Sequence, residues 1–273
     1  MRNRIAKITP FYRELDTFLR ISPAKIVLYL SLIFAIELHT IWIAPGSGTF
    51  YYGVLFIILL HHYLLDAEDP NRDQLLLLSA IPLMRILSMA MPVGLVSPLY
   101  RYPMVGIPVF TAIILMVKQT QISWKDLGVR LPEIKRSENF WESLLIALSG
   151  IPLGIIGYYF GNPISLVSTG TPAEVITAAI IVLIFIGVLE EIVFRGLLLH
   201  TLIRSFGRMG IVLSSAIYLL LFASSGSIGL VVLMGFVSLL YSWHALESRS
   251  ILAVTVSHSL MLGGMLIFYP LIF

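Results

Sequence analysis

Long stretches without charge recur along nearly the whole chain, and few folds can accommodate that pattern. Apolar runs near the ~20 residues that cross a bilayer as a helix fall at about 24–44, 50–65, 74–99, 103–117, 142–160, 172–189, 211–224, 228–245 and 250–273. Hydrophobic residues make up 58% of the 273 and charged residues only 12%, with a mean hydropathy of +0.93. No soluble domain of this size has such a composition. The expected fold class is therefore all-α: a polytopic transmembrane helical bundle with about eight or nine membrane helices. Pro82 and Pro92 in the third run, Gly150, Pro152 and Gly154 in the fifth, and Gly263 and Gly264 in the last allow kinks or close helix contact. Membrane helices tolerate these only where neighbours satisfy the freed backbone groups, so the spans should pack tightly.

Charge gathers between the runs. Arg2, Arg4, Lys7, Arg13, Arg20 and Lys25 precede or open the first run, Lys118, Lys125, Arg130, Lys135 and Arg136 follow the fourth, and Arg195, Arg204 and Arg208 follow the sixth, whereas 45–49 and 161–171 carry no basic residue. With the amino terminus in the cytoplasm, nine alternating spans put each basic loop there as well. The expectation is a multi-pass integral protein of a prokaryotic plasma membrane, in contact with the lipid bilayer. Its net charge of +3 sets orientation and not nucleic-acid binding. No small-residue cleavage site follows the first run, so it does not read as a removable signal peptide. The chain has no cysteine, which excludes disulfides, thiolate metal sites and a cysteine nucleophile.

The one long polar interval divides the chain into 1–117, amino-terminal membrane helices with a basic tail; 118–140, an interfacial linker; and 141–273, a core. In the linker Ile122, Trp124, Leu127, Val129 and Leu131 alternate with Lys125, Asp126 and Arg130, as in a short element lying at the water interface. Asp66, Ala67, Glu68 and Asp69 read as a solvated loop.

Within the core, "FIGVLEEIVFRGLLLH" places two adjacent carboxylates, Glu190 and Glu191, inside apolar sequence. Ionisable groups at membrane depth cost several kcal/mol unless paired or wetted, and so mark function. Glu191 and Arg195 stand at i and i+4 with the acid first, the favourable order for an ion pair. Glu190 lies about 100° further round the helix and is left free to act as a base toward water if its pocket is partly dry. A plain alternative is that the pair ends a span with Arg195 at the headgroups. The continuation "IVFRGLLLHTLIRSFG" is still helical and apolar, which puts the pair within a long helix.

Glu190-Glu191-Ile192-Val193-Phe194-Arg195-Gly196 resembles the E-E-x-x-x-R motif of the CAAX prenyl protease and bacteriocin-processing family, the Rce1-like intramembrane proteases. "WKDLGVR" before the core, "LLLHTLIRSFG" after the motif and "GFVSLLYSWHALESRSILAVTVSHSL" near the end are similar to that family in the same order, over roughly residues 120–265. The resemblance implies a glutamate peptidase without a bound metal or other cofactor. Glu190 would be the base, Glu191 and Arg195 the supporting pair, and His258 the oxyanion-site histidine. The partner it implies is a membrane-anchored protein or peptide substrate.

Two family positions differ here. The second motif, F-x-x-x-H, falls near "SAIYLLLFASSG", which has no histidine: Leu219 and Ala223 hold its two positions in an ungapped register, or Phe222 and Gly226 in a shifted one. The last motif, H-x-x-x-N, ends on Leu262. Replacements could come from Ser224 or Ser225, or from an amino-terminal set of Glu37, His39, His61, His62 and Arg85. For that set, a buried ion pair of Arg85 with Glu37 is the simpler reading. His200 and His244 read as headgroup-level histidines. The leading expectation is a glutamate-dependent endopeptidase acting on a membrane-anchored protein or peptide tail. The alternative is a non-catalytic family member that binds a peptide or lipidated tail, or acts as an immunity protein.

Overall fold

The computed structural model describes residues 23–65, 69, 72–92, 94–131 and 137–273. The basic tail as far as Arg20, the loop residues Asp66, Ala67 and Glu68, and Lys135 and Arg136 lie outside the described residues. Among those described there are nine helices and no strand. We number them α1 (Pro23–Trp42), α2 (Gly48–Leu65), α3 (Asp73–Leu78 and Ala80–Met89), α4 (Pro98–Thr120), α5 (Ser137–Gly161), α6 (Pro172–Phe206), α7 (Met209–Phe222), α8 (Ile228–Ser248) and α9 (Leu252–Ile272).

Seven of them, all but α3 and α7, are long and apolar enough to cross a membrane. The chain is an all-α polytopic bundle of the integral membrane class. Large apolar side chains such as Ile57, Leu115, Trp141, Ile176, Val232 and Phe236 stand exposed on its outside, as expected where lipid replaces water as solvent. The third apolar run is not one long unbroken helix. Its helix breaks at Ser79, whose hydroxyl donates to Leu76 O at 2.6 Å, and stops at Met89. Leu75, Leu77, Leu78 and Ile81 are nevertheless buried, so α3 packs as an internal helix.

The sixth run continues well past 189. Thr171 caps its helix by accepting from Glu174 N, with Pro172 in the first turn, and α6 then runs 35 residues without a break. Its turns widen to π geometry at Leu183–Val188 and Ile192–Leu198, on either side of Leu189–Glu191. Such widenings are frequent at functional sites. Gly207, with φ of +56°, ends α6 in a conformation that favours glycine.

Small residues set the closest approaches. A Cβ on Gly150 would lie 2.0 Å from Ser257 O, on Gly154 2.8 Å from Met261 O, and on Gly157 2.6 Å from Met265 Sδ. The numbers rise together, so α5 and α9 run parallel with their backbones in contact. This is the packing that G-x-x-x-G spacing permits when no hydrophobic driving force acts between helices. Gly187 does the same for α6 against α9, where a Cβ would fall 2.0 Å from Ser259 Oγ. That contact lies one turn before the two acids and beside His258. From the amino-terminal side, α4 presses on α6 where Gly106 accommodates the ring of Phe185.

The linker docks onto the turn between α8 and α9. Ile251 N donates to Gly128 O at 2.9 Å, Arg130 Nε donates to Arg249 O at 2.8 Å, and Ser250 Oγ donates to Arg130 O at 2.6 Å. Leu127 is buried beneath it.

Candidate active site

Because α6 does not end at the acids, both carboxylates project from the middle of a long helix, and they face different surroundings. Glu191 is wholly buried. Its Oε1 accepts from Arg195 Nη1 at 3.1 Å and from His258 Nδ1 at 2.7 Å. Arg195 is no headgroup anchor, since its side chain is also fully buried. Its guanidinium carbon lies 4.6 Å from the ring centre of Tyr218 and 5.6 Å from that of Tyr241. Arg195 Nε and Nη2 have no hydrogen-bond partner, and the two aromatic faces supply cation–π attraction in their place. The Tyr241 hydroxyl lies 2.6 Å from Ser257 Oγ, which is 3.1 Å from Ser149 Oγ on α5.

Glu190 faces the other way and keeps 24% of its side chain exposed. It lines a cavity of about 370 Å³ together with Arg85, Arg101, Tyr102, Phe185 and Phe222. Behind this wall Glu190 meets two buried polar side chains that do not themselves line the cavity. Glu190 Oε2 lies 3.8 Å from His258 Nε2. The Tyr218 hydroxyl is 3.4 Å from Glu190 Oε2 and 3.4 Å from His258 Nε2.

His258 thus bridges the two acids. An imidazole that gives its Nδ1 proton to an ionised carboxylate has its tautomer and ring orientation set by that bond, with Nε2 turned to the other side. Here Nε2 faces Glu190. Buried charges are costly unless paired and hydrogen-bonded; the Arg195–Glu191–His258 chain supplies the pairing across α6 and α9, while Glu191 Oε2, Arg195 Nε and Arg195 Nη2 make no hydrogen bond.

All four sequence candidates, Glu190, Glu191, Arg195 and His258, therefore come together. The other candidates do not join them directly. Ser224 and Ser225 sit exposed in the turn after α7. His61 is exposed and His62 lies 2.6 Å from the Tyr29 hydroxyl, while His39 packs edge-on against Tyr51. Arg85 pairs with Glu37 through Nε to Oε1 at 2.5 Å and Nη2 to Oε2 at 2.9 Å, and Tyr52 donates to the same carboxylate at 2.7 Å. Arg85 nonetheless reaches the wall of the Glu190 cavity. His244 differs from its expected headgroup position: it is 2% exposed, with Nε2 3.5 Å from Ser143 Oγ and Nδ1 3.6 Å from Glu142 Oε1 on α5, because α5 closes over the end of α8. Among the described residues no three His, Asp or Glu side chains converge as a metal-binding set.

Sequence reasoning passed over Tyr218. Aligning the second motif puts Leu219, Ala223 or Gly226 forward, but Leu219 points to α8, where its Cδ1 lies 2.5 Å from the position of a Cβ on Gly235. Tyr218, one residue earlier, is the α7 side chain that turns to the acids. A hydroxyl in the otherwise apolar run "AIYLLLF" was the available signal. Leu262, at the family's asparagine position, is apolar and buried.

The chain gives no match to curated proteins or to solved structures. Residues 172–262 match the family model described as type II CAAX prenyl endopeptidase Rce1-like. The matched segment opens at the first turn of α6 and closes in α9, so it contains both acids, Arg195, Tyr218 and His258, and over that part the chain is similar to the CAAX prenyl endopeptidases.

Proposed function

We propose that the chain is a glutamate-dependent intramembrane endopeptidase that hydrolyses a peptide bond in the tail of a membrane-anchored protein or peptide. The observation that carries this reading is the meeting of Glu190 Oε2, His258 Nε2 and the Tyr218 hydroxyl within 3.8 Å, with Glu190 lining a cavity of about 370 Å³.

In this reading Glu190 takes a proton from a water molecule in the cavity, and the resulting hydroxide attacks the scissile carbonyl carbon. The carbonyl oxygen becomes an oxyanion, which accepts a hydrogen bond from the Tyr218 hydroxyl and from Nε2–H of a protonated His258. Glu191 balances the imidazolium charge. Collapse of the intermediate breaks the C–N bond, and the proton held by Glu190 passes to the departing amine. One oxyanion donor is typically worth ~3–4 kcal/mol, and general-base catalysis ~10²–10⁴-fold. Tyr218 takes the part of the absent second-motif histidine, and Arg85 lines the cavity that receives the substrate. The reading puts the amino terminus in the cytoplasm, an orientation that the basic segments favour.

Leu262 favours a second reading, in which the same bundle binds a tail without cutting it. The two separate in proteoliposomes holding purified protein and lipid-anchored peptide tails, with products read by mass spectrometry. Cleavage by wild type and its loss in Glu190→Gln supports the peptidase. Tail binding by wild type with no product from any anchored tail, including tails cut by other members of this family, overturns it in favour of the binder.

A further inference from the structure

A larger cavity, about 590 Å³, lies at the end of the bundle where the linker docks; Arg195, the partner of Glu191, reaches its wall from α6, and nothing else in the proposed chemistry uses it. Lys125 and Arg130 from the linker, Arg204 from α6 and Arg249 at the end of α8 all line it, against one acid, Asp126. That acid is already engaged: Asp126 Oδ2 accepts from Ser123 N at 3.2 Å and from Ser123 Oγ at 2.7 Å. The remaining wall is largely apolar, with Leu127, Leu199, Ile203, Leu246 and Ile251. His200 and Arg195 also line it, and the Nε2 of His200 is buried without a hydrogen-bond partner.

Orientation in a membrane accounts for basic residues near this surface, but it asks only for charge on one side of the bilayer. It does not ask that four cations be brought round one concavity. Here they are held there by the three bonds that fasten the linker to the α8–α9 turn, Ile251 N to Gly128 O, Arg130 Nε to Arg249 O and Ser250 Oγ to Arg130 O. Gly128, at φ +78° with Ile251 Cγ2 3.0 Å from where a Cβ would sit, lets the backbone make that turn. Guanidinium groups are suited to phosphate, and Arg204 and Arg249 bring two of them to the cavity beside the Lys125 ammonium.

We propose that this cavity is a binding site for a phosphate group, with the apolar wall receiving the carbon skeleton attached to it. The phosphate can belong to an anionic phospholipid headgroup or to a soluble phosphorylated compound. The proposal does not depend on the cleavage reading, although Arg195 borders both sites.

The test uses the full chain, delipidated in detergent. One arm adds phosphatidylglycerol or phosphatidylcholine and reads bound lipid by native mass spectrometry. The other adds inorganic phosphate or pyrophosphate and reads thermal stability. The variant Lys125→Gln/Arg204→Gln removes two cations that make none of the docking bonds, and Lys118→Gln/Arg208→Gln removes two basic charges outside the cavity. Selective retention of phosphatidylglycerol without a response to free phosphate assigns the lipid source, and the converse assigns the soluble one. In either case the cavity variant should bind about thirtyfold more weakly and the outside variant like wild type. Equal retention of both lipids with no response to phosphate overturns the proposal, as does equal weakening in both variants.

Discussion

His258 on α9 donates through Nδ1 to Glu191 on α6 at 2.7 Å, while its Nε2 faces Glu190 at 3.8 Å. One ring therefore separates two adjacent carboxylates into different tasks. Glu191 is bound to Arg195 and His258 and wholly buried, whereas Glu190 keeps access to a cavity.

The two acids should fail in different ways. Glu190→Gln is expected to lower turnover ~10²–10⁴-fold and to unfold near the wild-type temperature. Glu191→Gln leaves Arg195 as a buried charge without a counterion and should cost ~3–5 kcal/mol of stability as well as activity. Thermal unfolding in detergent beside a cleavage assay measures both. Equal stability loss in the two variants would contradict the division.

Tyr218 contributes a hydroxyl to the site and a ring face to Arg195. Tyr218→Phe keeps the ring, so stability should stay close to wild type while kcat falls roughly 10²–10³-fold, the usual effect of removing one oxyanion donor. Tyr218→Ala should destabilise as well, by ~3–5 kcal/mol. If Tyr218→Phe turns over as wild type does, the hydroxyl has no part in the reaction.

The backbone contact at Gly187 positions α6 against α9. Gly187→Ala drives a methyl into Ser259 Oγ and should cost about 1–3 kcal/mol, as overpacking does. Ser259→Gly in the same chain removes the obstructing side chain and should restore most of the loss. The melting temperatures of the two single variants and the double variant test the contact, and an additive double variant would argue against it.

Among the amino-terminal helices, Arg85 and Glu37 form a pair with Tyr52 as a third partner. Arg85→Met alone leaves the buried Glu37 carboxylate uncompensated and is expected to lose ~3–5 kcal/mol. Arg85→Met/Glu37→Gln should recover most of it. Since Arg85 also lines the Glu190 cavity, the double variant separates stability from substrate contact: a raised KM in a well-folded protein marks the latter.

Several of these relationships were legible in the residues alone. The apolar runs dictate a helical membrane bundle whatever the tertiary detail. The Glu191–Arg195 pair follows from i, i+4 spacing, and the length of α6 from the apolar sequence beyond the acids, because both are properties of a single helix. Gly150 and Gly154 already mark a surface that another backbone can touch. Tyr218 was not legible in this way, nor were the two-sided role of His258, the joining of Arg85 to the Glu190 cavity, or the basic cavity behind the linker. Spacing along one helix gives only an angle about that helix's own axis. Which side chains of α7 and α9 meet that angle depends on how the helices are rotated and how closely they approach, and only packing at contacts such as Gly187 against Ser259 and Gly150 against Ser257 decides that.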